Sequence, residues 1–489
     1  MLVQSSLLHT RRLFLAIFAV LLAAHLCHFR VLWAEEDLPL AAARQVLFGH
    51  TLYRGIWFDK PPLVPLVYLL WGAGIGVIGR IAGALYCTLV CWLAFAVSRK
   101  LWGEREARWS AALMAFFLTF DTPSAVLPLA ADSLLLAPHL AAILFAIDRR
   151  PLLSGVCAGI GFWFNTKGLF VFAASAVFAL SQAPMLVAGF AIPSAIGCGL
   201  LALVGAWQPY VDQVWIWSSA YAKNTFVADP VRNGLTRTAN WAGFHIALVV
   251  PAIRALVESS RRWQLAAWGL ISFVGVALGW RFFPRYYFLL LPFAVVVAGR
   301  GMALLGIRWW LVALMLLIPF ARFGPRYVPM AADLDPQWSD LALDRESRDA
   351  ATIVNRLKRP GDTLYVWGYR PDLFPYTHMP AGSRYLDCQA MTGVPADRHL
   401  TQTTSVLPPE TTAAARRELA ASHPDFIVDG LSEYNPNLAL SAYPELKQWL
   451  AGYREVARVR GIVIYKAFQT NSATPARNPA SASNSRFFK

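Results

Sequence analysis

Charge is scarce in this chain: 15% of its 489 residues are Asp, Glu, Lys or Arg, against 57% hydrophobic. That is too little charge to cover a soluble enzyme of this size, and it fits a polytopic membrane protein. Acid is the scarcer sign, with 29 acidic residues against 44 Lys and Arg and a net charge of +15. No basic low-complexity block and no nucleic-acid motif accompanies the excess of base, so nucleic acid is not an expected partner. Positive charge at membrane surfaces and beside lipid phosphates explains it better. Cysteine is also scarce. Cys27, Cys87, Cys91, Cys157 and Cys198 lie in apolar runs, where a thiol acts as a small hydrophobe, and Cys388 stands alone in a polar region. There is no C-x-x-C or zinc spacing, which leaves neither a structural zinc nor an intradomain disulfide to expect. No internal repeat is visible.

Long apolar runs are plentiful. A helical span needs about 20 such residues. Eleven candidates lie at 13–33, 80–98, 108–120, 126–147, 152–164, 168–182, 184–206, 241–258, 263–279, 286–303 and 307–322. Arg11 and Arg12 precede the first as in a signal peptide, but no small-residue cleavage site follows, so it reads as a retained helix. Residues 62–79 are apolar too. Counting them as a span would put Arg99, Lys100, Arg105, Arg108, Arg149 and Arg150 outside, against the positive-inside rule. Three prolines within 61–65, at their start, and four glycines near their end make a poor straight span. They read as a juxtamembrane helix. With the N-terminus inside, Lys60, Lys167, Lys223, Arg232, Arg237, Arg281 and Arg285 then fall on the external side, where an anionic ligand is a reason to keep them.

The stretch that organises the chain is AEEDLPLAAARQVLFGHTLYRGIWFDKPPL, residues 34–63. Glu35, Glu36 and Asp37 follow the first span directly, and Lys60-Pro61-Pro62-Leu63 closes the stretch. Adjacent acids at a bilayer surface repel one another and resist dehydration, which marks them as working groups or well-hydrated ones. An acidic pair after the first helix, then A-x-x-x-L-x-G-x-x-x-Y (Ala43 to Tyr53), then K-P-P-L, resembles the first external loop of polyprenyl-phosphate-sugar-dependent glycosyltransferases with the GT-C fold. That group includes protein O-mannosyltransferases and lipid A aminoarabinose transferases. The pair there is usually Asp-Glu, whereas this chain has Glu-Glu-Asp. Counting back from Tyr53 and Gly49 along the family pattern sets the pair on Glu35-Glu36, with Asp37 in reserve.

The resemblance implies a helical polytopic membrane protein of about 11 transmembrane helices, multi-pass in the plasma (inner) membrane. It implies transfer of a sugar, hexosyl or pentosyl, from a polyprenyl-phosphate donor to a lipid, protein or polysaccharide acceptor. Such transfer needs a carboxylate to take the acceptor's proton and cations, or a metal, to stabilise the departing phosphate. Consecutive helical side chains point about 100° apart, so Glu35, Glu36 and Asp37 cannot all face one site. An acidic cap on a surface helix is the competing reading.

The resemblance assigns Lys60 to the donor phosphate, and the Pro-Pro pair after it restrains its backbone. A lysine snorkelling to headgroups is the alternative. Arg54, Trp57 and Asp59 are expected neighbours. Asp132, at the external start of the fourth span, matches an acid that related transferases often place near the first loop. It would hold an acceptor hydroxyl or help bind a divalent cation, although no D-x-D frames it, and it would otherwise cap a helix. Asp121 is a weaker candidate in an ordinary D-T-P turn. Arg281 and Arg285 lie in GWRFFPRYYFLLLPF, where R-Y-x-x-x-x-x-P also resembles the family. A guanidinium there grips a phosphate in two places, and Tyr286 lies beside it. Lys167 reads as a loop cation. The aromatic loop 207–240 reads as an interfacial lid. His25, His28, His139 and His245 fall singly on or near helices, where packing outweighs ligation.

Residues 1–322 thus form a membrane domain. Residues 323–469 turn polar and alternate strand and helix signals: helices at 344–358, 409–421 and 443–451, and strands after Gly361, at 426–429 and around 454–467. This predicts a small extracytoplasmic α/β domain. Residues 470–489, rich in Ser, Ala, Asn and Pro, read as disordered. Two other roles compete. A flippase for lipid-linked sugars is expected to show repeated halves and mid-membrane acids, and an envelope assembly subunit needs no pairing of carboxylates with cations.

Overall fold

The apolar run around Arg11 and Arg12 winds into α1 (Leu2–Leu26), which ends before the expected residue 33. The structure, a computed structural model, describes residues 2–223, 229–306, 309–334, 338–397 and 399–468. The tail expected to be disordered, 470–489, lies outside them. Helix α1 ends early because the next residues bond elsewhere. The His28 and Val31 carbonyls accept from Arg80, and the Leu32 amide donates to Asp344.

The acidic stretch then turns into α2 (Asp37–Leu47). Residues 62–79 do not form a span. They give α3 (Leu63–Tyr68), a 3-10 turn (Leu69–Trp71) and a bend with Gly72, Ala73 and Gly76 at positive φ. Six helical residues cover about 9 Å, far short of a bilayer core of about 30 Å. The next helix is α4 (Val77–Leu101).

Among the described residues, four helical stretches are long and apolar enough to cross a membrane: Leu8–Leu26, Val77–Leu101, Gly168–Leu203 and Trp310–Ala331. A fifth is added if Pro230–Phe244 and Ile246–Glu258, bent by 91° at His245, count as one. Ala131–Ile147, Pro151–Phe164 and Leu291–Leu305 are apolar but shorter. The runs expected as spans 168–182 and 184–206 share one helical stretch. The start of the run 286–303 is taken by a 3-10 turn, Pro284–Leu289. Hydropathy marks apolar runs but not the turns inside them, and Pro284, Pro292 and Pro151 each reset a helix start.

Close helix contacts rest on small residues. A Cβ on Gly155 would lie 2.1 Å from the Leu186 carbonyl oxygen, and one on Gly189 2.1 Å from that of Leu152. These two helices therefore touch backbone to backbone. His139 accepts from the buried Trp268 indole at 2.9 Å, and His245 sits between the Phe117 and Trp241 rings, so both serve packing as expected.

The polar part folds as predicted. A four-stranded sheet has the order β1-β2-β4-β3, with β1 (Leu364–Trp367), β2 (Phe426–Asp429), β3 (Tyr453–Val459) and β4 (Ile462–Ala467). The β1–β2 pair is parallel and the rest antiparallel. Ser339–Leu357, Pro409–Ala420 and Pro444–Leu450 are the accompanying helices.

This unit docks on the loop that follows α1. The fully buried Gln45 side chain donates to the Met379 carbonyl at 3.2 Å and accepts from the Ala381 amide at 2.8 Å, imitating one rung of a strand pair. Trp57 N donates to the Arg384 carbonyl at 2.8 Å, and Arg384 returns a bond to the Tyr53 carbonyl at 2.9 Å.

Candidate active site

The three consecutive acids point three ways, from the turn that leads into α2. Glu35 is partly exposed and ion-paired with Arg285. Glu36 is buried and held by Arg80, whose Nη1 lies 3.1 Å from Oε2 while Nη2 binds Oε1. Asp37, on the first turn of α2, accepts from the Leu38 amide at 2.6 Å and faces the C-terminal unit. Burial is the main force holding the Asp37 carboxyl well above the usual range, and Asp372 adds to it.

Around Glu35 the chain assembles one compact cluster. Arg285 sits in the 3-10 turn Pro284–Leu289, opened by Pro284 at its first position. The approach to that turn is strained, since Trp280 and Phe282 flank Arg281 with positive φ. Arg285 Nε lies 3.8 Å from Asp132 Oδ2, so one guanidinium meets carboxylates from two loops. Asp132 also accepts from Asn165 Nδ2 at 2.9 Å and pairs with Lys167 Nζ at 3.5 Å. Its helix, Ala131–Leu134, starts from Ala130, so the carboxylate binds these partners rather than capping. The Lys167 ammonium stands 3.4 Å from the centroid of the Tyr286 ring. Two acids and two cations thus share one partly exposed site on four separate segments.

A second group forms around Lys60, whose Nζ lies 3.1 Å from Asp59 Oδ1. Burial disfavours this ammonium, but Asp59, Asp37 and Asp387 outweigh it and hold its pKa above the ordinary value. Asp387 comes from the C-terminal unit, and burial pushes it up to about 6. The Lys60 carbonyl accepts from the buried Tyr53 hydroxyl at 2.7 Å, which fixes the loop before Pro61-Pro62. The aromatic loop expected as a lid packs here. Gln213 accepts from Phe58 N at 2.9 Å and donates to the Tyr53 carbonyl at 2.8 Å, and Trp217 meets Trp57 edge-on. Residues 224–228 of that loop lie outside the described residues.

The other predicted residues sit apart. Arg54 is exposed near Gly205. Arg281 is buried, lies over the Tyr221 ring at 3.2 Å and donates to the Tyr221 carbonyl. Burial lowers its pKa to about 10. Asp121 pairs with His245 at 3.1 Å. Sequence reasoning preferred a plain loop cation at Lys167, and it passed over Asn165, Arg80, Asp372 and Asp387. Among the described residues, no group of three or more His, Cys, Asp or Glu side chains is placed to hold a metal ion.

No protein-family model matches the chain, and no curated protein matches it in sequence. Solved structures do. ArnT from Cupriavidus metallidurans bound to undecaprenyl phosphate superposes with a TM-score of 0.64 at 14% identity, over 95% of this chain and 99% of that one. The same protein in the apo state gives 0.53 at 13% identity, over 94% and 97%. The chain therefore has the fold of ArnT, a GT-C fold.

Proposed function

We propose that the protein is an integral-membrane glycosyltransferase that moves a sugar from a polyprenyl-phosphate carrier to an acceptor on the external face of the plasma membrane. One observation carries this reading. Glu35, Asp132, Lys167 and Arg285 meet beside the loop that follows the first helix, on a fold shared with a protein bound to undecaprenyl phosphate. The reading includes eleven spans with the N-terminus inside, a membrane part over 1–322 and an external unit over 323–469.

Glu35 is the base. It takes the proton of an acceptor hydroxyl as that oxygen attacks the anomeric carbon. The bond from this carbon to the phosphate oxygen breaks, and its electron pair leaves with the phosphate. Arg285 and Lys167 take up that charge, with Lys60 in the neighbouring group as a third cation. Asp132 and Tyr286 hold Lys167 in place. Arg285 is bonded to Glu35, so a phosphate arriving there competes for the guanidinium and releases the carboxylate to act. Lipid, protein and polysaccharide acceptors are all compatible with this chemistry.

The test is transfer of label from radiolabelled polyprenyl-phosphate sugars to membrane acceptors by wild type and Glu35→Gln. Wild type transfers, and the variant falls by about 10²- to 10⁴-fold, the usual worth of a general base. Full activity in the variant, or no transfer from any such donor by folded wild type, sinks the reading.

A further inference from the structure

We infer that Arg80 is a positioning residue: by holding Glu36 inside the protein it leaves Glu35 as the carboxylate presented to Arg285. The inference rests on the reading of Glu35 as base. Arg80 is 4% exposed and lies in the first turn of α4. Nε donates to the His28 carbonyl at 3.3 Å, Nη2 to the Val31 carbonyl at 2.6 Å, and Nη1 to Glu36 Oε2 at 3.1 Å, while Nη2 also binds Glu36 Oε1. Glu36 Oε1 accepts from the Trp33 amide at 3.1 Å as well. The guanidinium therefore ties together the chain leaving α1, the acidic turn and α4.

Both Glu36 oxygens are taken by charged or backbone donors in a crevice also lined by Leu32, Tyr68, Gly76 and Leu129. Such a carboxylate has its oxygens turned to these donors and not to a sugar hydroxyl. The neighbouring acids are set by the same bond. With Glu36 fixed inward, the backbone turn directs Glu35 out to Arg285 and Asp37 toward the C-terminal unit. Without Arg80, Glu36 is a buried charge lacking its partner. Glu35, one residue back along the turn, is paired with Arg285, so a released Glu36 becomes a rival to Glu35 for that guanidinium. The groups in play are Arg80 from α4, Tyr68 from α3, His25 from α1, His28 after it and Tyr376 of the C-terminal unit on the Glu36 side, and Arg285, Asp132 and Lys167 on the Glu35 side.

The experiment measures kcat, KM for the polyprenyl-phosphate sugar, and the pH profile of kcat/KM. It uses purified full-length wild type, Arg80→Met, Arg80→Lys and Arg80→Met/Glu36→Gln, at equal amounts of folded protein. Releasing Glu36 sets a like charge near Glu35, and like charges raise each other's pKa. Arg80→Met is therefore expected to lose at least 10-fold in kcat/KM and to move the acid limb of the profile to higher pH. The double variant returns the limb toward wild type and is more active than Arg80→Met alone. Should Arg80→Met not fold, Arg80→Lys decides, with the same direction and a smaller size. A role confined to folding changes yield and leaves the limb in place, and that result overturns the inference, as does a double variant no better than the single. Glu35→Gln, run in parallel, separates the two claims. If it stays active the base assignment fails, and if it is inactive while the limb is unmoved only the role of Arg80 fails.

Discussion

A guanidinium that meets carboxylates from two loops is hard to replace. Arg285 binds Glu35 and lies near Asp132 through different nitrogens, a forked geometry that an ammonium cannot copy. Arg285→Lys is expected to lower kcat/KM for the donor by about 10²-fold, by analogy with the loss of one charge-stabilising donor, and steady-state transfer kinetics would show it. Lys167→Met should act mainly on the donor, raising its KM more than it lowers kcat. A KM unchanged within error would remove Lys167 from phosphate binding. Glu35, Asp132, Arg285 and Tyr286 were legible because each stands in a recognisable local string. Lys167 and Asn165 were not. Their meaning comes from a contact with Asp132, 35 and 33 residues away in sequence, and a single sequence carries no signal for such a pairing. The contact of Glu36 with Arg80, 44 residues further on, is out of reach of a single sequence for the same reason.

Helices and strands were legible to different degrees. The strand FIVD was read with its residue bounds intact, because a short apolar block between turn residues has few alternatives. Membrane helices were harder. The polar Ser181 and Gln182 suggest a break at Leu180–Gln182 where the helical stretch runs on, while apolar residues continue past the 3-10 turn Pro284–Leu289, and hydropathy does not register a change of hydrogen-bond ladder. The crossing of Pro151–Phe164 with Ala183–Leu203 depends on Gly155 and Gly189, where any Cβ would meet backbone. Gly155→Val is expected to destabilise by about 3 kcal/mol, at the upper end of overpacking costs. A thermal melt in detergent would show it as a lowered Tm, and an unchanged Tm would mean that the two helices can separate freely.

At the scale of the molecule, the joint between the first loop and the C-terminal unit is rich in buried acid. Burial pushes Asp372 up to about 7, with Asp344 adding to it, and Asp387 up to about 6. A carboxyl whose folded pKa is raised contributes stability that is full below its unfolded value, near 3.9, and is lost as pH rises through the folded value. For Asp372 the loss amounts to about 4 kcal/mol between roughly pH 4 and pH 7. The protein should therefore melt at lower temperature at pH 8 than at pH 5. Asp372→Asn should flatten that slope and raise Tm at pH 8, and melts across this range would decide. Composition sets the apolar part apart from the polar unit but does not show that the two share a buried joint, since Asp372 and Asp387 look like ordinary surface residues in one dimension.

The Gln45 rung has a consequence in time. Its two partners, Met379 and Ala381, are made 334 and 336 residues after it. A ribosome adding about 5–20 residues per second needs roughly 20 to 70 s to cover that distance. Throughout that interval the acidic loop exists and its docking surface does not. The acidic loop of each new molecule is therefore completed only once the C-terminal unit is being made.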